Sequence, residues 1–282
     1  MLALSSAVLL VLVYLVFAKT DRGQLLDDAA FKGRKTLNPQ QIKDADDLLR
    51  TIDISSVALI GAAIVTVAIV RKRPQRAWAA ATVIVGANVT TQILKRVLDG
   101  PSLHEVTDVG KNYFPSGHAT VAMSLAMAAA IVASRRTRGT VALVGSIYAA
   151  VVGVSTLSAG WHRPSDAVGA FLVVTAWAAA VLAIGPRRRA TEAERTTPVA
   201  APVLLVGGVV MSVLAFGVLV LVFLARRSGR IHTIPLGGAY LGAACTIAAL
   251  AFLVMGALLV AIRLAVPSRP RATPEPLTPS FS

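Results

Sequence analysis

Two histidines, an aspartate and a lysine stand out because each lies at the edge of an apolar run in a chain otherwise poor in charge. Lys95 ends one such run, Pro115-Ser116-Gly117-His118 opens the next, and His162 and Asp166 sit at the start of a third. Residues four apart share one face of a helical turn. Asp166 can therefore fix the tautomer and orientation of the His162 imidazole and stabilise its imidazolium, which makes His162 a better nucleophile or base. His118 can pass a proton to a leaving oxygen, and Lys95 offers a point charge for phosphate. Pro115 and Ser116 suit a helix start, and Gly117 lets the backbone approach a ligand closely. Free N–H groups at a helix N-terminus favour an anion. Two histidines, a carboxylate, a lysine and a helix start are the groups that phosphoryl transfer through a phosphohistidine needs.

The elements that must position these groups are apolar. Of 282 residues 55% are hydrophobic and 15% charged, against about 25% charged in soluble domains. Eight continuous runs reach or approach the ~20 residues that cross a bilayer as helix: residues 2–18, 54–70, 77–94, 117–133, 140–157, 166–184, 199–224 and 237–262. They do not alternate, which excludes a membrane β-barrel. The fold class is an all-α polytopic membrane helix bundle. The first run has no charged segment before it and no small-residue cleavage site, so it reads as a retained span.

The net charge of +14 is not a nucleic-acid signal, because the basic residues lie between apolar runs rather than on one basic face. Arg71, Lys72, Arg73 and Arg76, then Arg135, Arg136 and Arg138, then Arg187, Arg188, Arg189 and Arg195 follow spans two, four and six. If the spans alternate, these short loops share one side, and the positive-inside rule makes it cytoplasmic. Both termini are then cytoplasmic, in a plasma membrane protein. Lys95, His118, His162 and Asp166 all fall on the extracytoplasmic side. Arg226–Arg230 lands outside, against the trend. Residues 19–53 also lie outside, with a partly amphipathic surface helix over 39–50. The proline-rich tail from Pro267 reads as disordered and cytoplasmic.

The residues around the chemistry resemble the type 2 phosphatidic acid phosphatase superfamily, whose motifs are K-x6-R-P, P-S-G-H and S-R-x5-H-x3-D. The second stands intact as Pro115 to His118, and the third in part as Ser155, His162 and Asp166. Two places depart from it. Thr156 stands where the third motif has arginine. After Lys95 the arginine position falls on Ser102, or on Gly100 if the motif is shortened to end at Pro101. The resemblance implies a six-helix lipid-phosphatase-like core over residues 1–185. A cytoplasmic linker (186–198), two additional C-terminal transmembrane helices (199–262) and the tail (263–282) would follow. It also implies a metal-independent lipid phosphate phosphatase without cofactor. His162 would be the nucleophile, Asp166 its orienting partner and His118 the proton donor, with Lys95, Ser116 and Gly117 holding phosphate. Arg96, Lys111 and Arg163 are the nearby cations that could replace the missing arginines. A polyprenyl diphosphate-type lipid is the first substrate expected, and a phosphatidic acid-type lipid the second.

Other residues and readings stay open. His104, Glu105 and Asp108 imitate metal ligands, and Asn88, Thr90, Thr91 and Gln92 suit helix–helix hydrogen bonds or a pocket wall. Trp78, Trp161 and Tyr113 fit interfacial anchors. The missing arginines also suit a catalytically weak or inactive lipid-phosphate-binding subunit, with the last two spans as the surface for self-association or a membrane partner. Eight spans suit a transporter or flippase as well, but the ionisable residues lie at span ends rather than at mid-depth.

Overall fold

The computed structural model describes residues 1–108, 110–185, 200–227 and 236–264. Ten α-helices account for most of them: α1 Leu2–Lys19, α2 Asp21–Gly33, α3 Pro39–Arg50, α4 Ile54–Val70, α5 Pro74–Val97, α6 Gly117–Val132, α7 Arg135–Ser158, α8 Pro164–Ile184, α9 Ala200–Arg227 and α10 Leu236–Leu264. A single 3-10 turn, Arg34–Thr36, follows α2, and no strand occurs among the described residues. The expected linker over 186–198 and the tail from Pro267 lie outside these residues.

All eight apolar runs are helices. Six of them (α1, α5, α7, α8, α9 and α10) are long and apolar enough to cross a membrane. The two exceptions, α4 and α6, have 17 and 16 residues. At 1.5 Å per residue, α6 spans roughly 24 Å, short of the ~30 Å hydrocarbon core. It is the central helix, packed against α4, α5, α7 and α8, with most of its side chains buried.

Close approach in this core depends on missing side chains, as expected where lipid supplies no hydrophobic drive between helices. A Cβ on Gly153 of α7 would lie 2.7 Å from Ile247 of α10 and 3.0 Å from the Phe171 ring of α8. A Cβ on Gly169 would meet the Phe114 ring at 2.4 Å.

Residues 19–53 carry a second helix besides the expected one. The helix over 39–50 is present, started by a reciprocal Asn38–Gln41 capping box and packed on α7 through fully buried Leu49. The preceding α2 was not expected from the sequence. It packs against α1, α8 and α10, and it buries Gln24, Asp27 and Asp28. The last two helices are not equivalent. α10 packs against α2, α7 and α8 as well as α9, and its Tyr240 hydroxyl hydrogen-bonds Ser158 at 2.8 Å. α9 forms the outer layer, with Val203, Val206, Val210 and Val213 exposed.

Overpacking a dense core costs about 1–3 kcal/mol. Gly153→Val should therefore lower the thermal unfolding midpoint of the detergent-purified chain by several degrees. Ala63→Val, on the exposed face of α4, should leave it within about one degree, because no neighbour has to move.

Candidate active site

The site forms where the C-terminal ends of α5 and α7 meet the N-terminal ends of α6 and α8. His162 follows α7, held in a tight turn in which the Thr156 carbonyl accepts hydrogen bonds from the backbone N–H groups of Trp161 and His162, both at 3.0 Å. Gly160 supplies the left-handed residue of that turn, with φ of 78°. Asp166 lies in the first turn of α8, started by Pro164. Its carboxylate oxygen stands 3.1 Å from His162 Nδ1 and accepts the Arg163 N–H at 3.0 Å. Both side chains are buried. With Nδ1–H donating to Asp166, His162 Nε2 carries the free lone pair.

The second half of the site is bonded to the first. The Ser116 N–H donates to the Asp166 carbonyl at 2.9 Å, which ties the start of α6 to the start of α8. Ser116 is fully buried and is the N-cap of α6. Its hydroxyl accepts from Ala119 N at 3.4 Å. Gly117 faces Lys95, whose Nζ would lie 3.7 Å from a Cβ placed there. His118 packs edge-on against Trp161, ring centroids 5.0 Å apart, and Tyr113 packs edge-on against His162 at 6.1 Å.

Lys95, Gly117, His118, His162 and Arg163 line one cavity of about 780 Å³, within the range of small-molecule sites. Asn88, Gln92 and Lys95 all line it, so it follows one face of α5 for roughly 10 Å. Ile52, Val57, Ala58 and Val121 make the apolar part of the wall. Asn88 also donates to Ser124 at 3.2 Å, Thr91 bonds Thr120 at 2.9 Å, and Thr90 accepts from Trp177 at 3.0 Å. The polar cluster on α5 thus serves both helix contact and cavity wall.

The replacement cations divide. Arg163 lines the cavity and donates to the Thr107 carbonyl. Arg96 and Lys111 do not line it. Arg96 is exposed, because one residue past Lys95 the helix has turned ~100° away from the cavity face. Lys111 is exposed and paired with Asp108 at 3.4 Å. Of the departed motif positions, Ser102 is exposed, its hydroxyl accepting from Gln24 Nε2 at 3.3 Å, while Thr156 and Gly100 are enclosed. Thr156 is fully buried, with its hydroxyl bonded to the Gly153 carbonyl at 2.7 Å. A Cβ on Gly100 would collide with the Lys111 carbonyl at 2.4 Å. His104, Glu105 and Asp108 do not gather into a metal-binding group, and no such group of three occurs among the described residues.

Several site residues carried no signal in the sequence. Trp161 and Tyr113, read as interfacial anchors, belong to the site; Trp161 Nε1 also donates to Asp46 of α3 at 3.0 Å. From α2, the Asp27 carboxylate accepts from Ser165 N at 3.1 Å and Ser165 Oγ at 2.6 Å, which secures the start of α8. Asp28 accepts from Thr107 N at 2.9 Å, pairs with Lys32 at 2.6 Å and lies 3.9 Å from Arg163. Burial, and then the nearby Asp166 charge, push Asp27 up to about 7.

Residues 76–190, about two fifths of the chain, match the model of the PAP2 superfamily, which supports membership of that superfamily. No curated protein and no solved structure matches the chain. The matched segment holds α5 to α8 and every motif residue. The cavity wall contributed by Phe31, Ile52, Asp53, Val57 and Ala58 comes from outside it. Members of the superfamily are generally phosphatases acting on phosphate esters, often of lipids.

The raised Asp27 has a testable consequence. Between about pH 4 and pH 7 the folded chain keeps a proton that the unfolded chain releases, so stability falls as pH rises through this window. Unfolding midpoints measured from pH 4.5 to 8 should decline by several degrees more in the wild type than in Asp27→Asn.

Proposed function

We propose that this chain is a membrane phosphatase that hydrolyses a lipid phosphate through a phosphohistidine at His162. The observation that carries the reading is the buried His162–Asp166 pair opening into the same cavity as His118, Lys95 and the start of α6. His162 Nε2 attacks phosphorus, and the bond from phosphorus to the lipid oxygen breaks. His118, protonated, gives its proton to that oxygen, and the lipid alcohol leaves. Water then attacks the phosphohistidine, His118 takes the water proton, the P–N bond breaks, and inorganic phosphate departs. Asp166 stays ionised throughout and stabilises the His162 imidazolium. Lys95 and the N–H groups at the start of α6 neutralise charge on the equatorial oxygens.

The apolar wall formed by Ile52, Val57, Ala58 and Val121 suits a substrate whose tail stays in lipid while its head reaches His162. With the basic loops cytoplasmic, the site faces the extracytoplasmic side of the plasma membrane. A polyprenyl diphosphate-type lipid is then the first substrate to test and a phosphatidic acid-type lipid the second.

A second reading has its own support. Thr156, and Ser102 or in the shortened motif Gly100, stand where the superfamily motifs have arginine, which favours a weak or inactive lipid-phosphate-binding subunit docking a membrane partner through the exposed face of α9.

Phosphate release by the purified chain, with chelator present and a panel of polyprenyl diphosphate, phosphatidic acid and phosphatidylglycerol phosphate, separates the two. Turnover is expected with at least one lipid. His162→Ala should reduce it by at least about 10³-fold, and His118→Ala by about 10²–10⁴-fold. Undiminished release by His162→Ala would sink the mechanism. Tight lipid binding without turnover across the panel would favour the second reading.

A further inference from the structure

Resting on the phosphatase reading, we propose that Arg34, from the turn after α2, binds the substrate phosphate and supplies a guanidinium that the two motif positions lack. Thr156 is buried, Gly100 has no space for a side chain, and Ser102 is an exposed serine bonded to Gln24, so none of these positions presents a cation to the cavity. Arg163 reaches the cavity, but it is engaged by the Thr107 carbonyl and flanked by Asp28. That leaves a dianionic headgroup facing Lys95 and one partly occupied arginine.

Arg34 is not itself a lining residue; it sits directly behind two that are, Phe31 and Gly160. Its guanidinium stacks over the Phe31 ring at 4.8 Å, and the Arg163 guanidinium lies 5.9 Å from the same ring. Phe31 thus carries both arginines, and it lines the cavity. On its other side Arg34 fills the space beside Gly160, where a Cβ would lie 2.5 Å from Cζ and 2.6 Å from Nε. Gly160 also lines the cavity and is two residues from His162. A side chain there would displace the guanidinium, so glycine at 160 serves both the left-handed turn and the arginine.

The second observation is chemical. Arg34 Nε is buried without a hydrogen-bond partner, and no acidic group pairs with Arg34 among the described residues. A buried guanidinium N–H left unpaired is costly, and a small swing of the side chain past Gly160 would let an anion in the cavity satisfy it. A guanidinium presents donors in a fork that matches two phosphate oxygens.

The test is binding of inorganic phosphate to the purified full-length chain, run beside lipid turnover. Arg34→Gln should weaken phosphate binding and lower kcat/KM by roughly 10- to 100-fold. Arg34→Lys should recover part of both, and the unfolding midpoint of each variant without phosphate should stay near the wild-type value. As a readout needing no variant, phosphate should protect Arg34 of the wild type from phenylglyoxal, followed by peptide mass spectrometry, while exposed Arg71 stays unprotected. Turnover by the wild type with unchanged phosphate affinity in Arg34→Gln, or equal labelling of Arg34 with and without phosphate, would overturn the assignment and leave the phosphatase reading standing. Phosphate binding that depends on Arg34 without turnover of any lipid would support the assignment and overturn the phosphatase reading. A wild type that neither binds nor releases phosphate would overturn both.

Discussion

Asp166 is where the helix bundle and the candidate chemistry meet. Its carboxylate holds His162 Nδ1 and the Arg163 N–H, while its carbonyl accepts the Ser116 N–H. One residue therefore joins the end of α7, the start of α8 and the start of α6. Its neighbour Ser165 is clamped by Asp27 of α2. Buried polar groups are costly unless they are fully partnered, so the carboxylates and the helix ends must be placed together or not at all.

The apolar parts of the chain serve that placement. α6 is short and central, and its first turn faces Lys95 and the His162–Asp166 pair. The glycine contacts at 153 and 169 bring α7, α8, α10 and Phe114 close enough to fix the turn that carries His162. Around this core the polar segment between α1 and α4 acts as a cover. α2 secures the start of α8 through Asp27 and the loop before α6 through Asp28 and Gln24, which accepts from Leu103 N at 2.8 Å. α3 reaches Trp161 through Asp46.

Much of this was legible in the residues. Long apolar runs in a charge-poor chain admit helices and little else, and all eight runs are helical. The P-S-G-H run and the four-residue spacing of His162 and Asp166 are local patterns, and local patterns survive in one dimension. The contribution of α2 was not legible, because Asp27 and Ser165 are 138 residues apart and nothing around Asp27 marks it as buried. Arg34 and Phe31 escaped for the same reason. Arg96 and Lys111 were attractive by nearness in sequence, but helix phase turns the first away from the cavity and the second is an exposed side chain beside Asp108. Trp161 and Tyr113 look like interfacial aromatics, and only the packing of their rings on His118 and His162 distinguishes them.

The central claim is that His162, oriented by Asp166, accepts the phosphoryl group. The most direct measurement is to mix the purified chain with a lipid substrate carrying radiolabelled phosphate, quench within milliseconds to seconds, and map the label by peptide. The account predicts an acid-labile, base-stable phosphoryl group on His162, absent from His162→Ala. Release of phosphate at the normal rate with no label on His162 under any quench time, or label on another side chain, would contradict it.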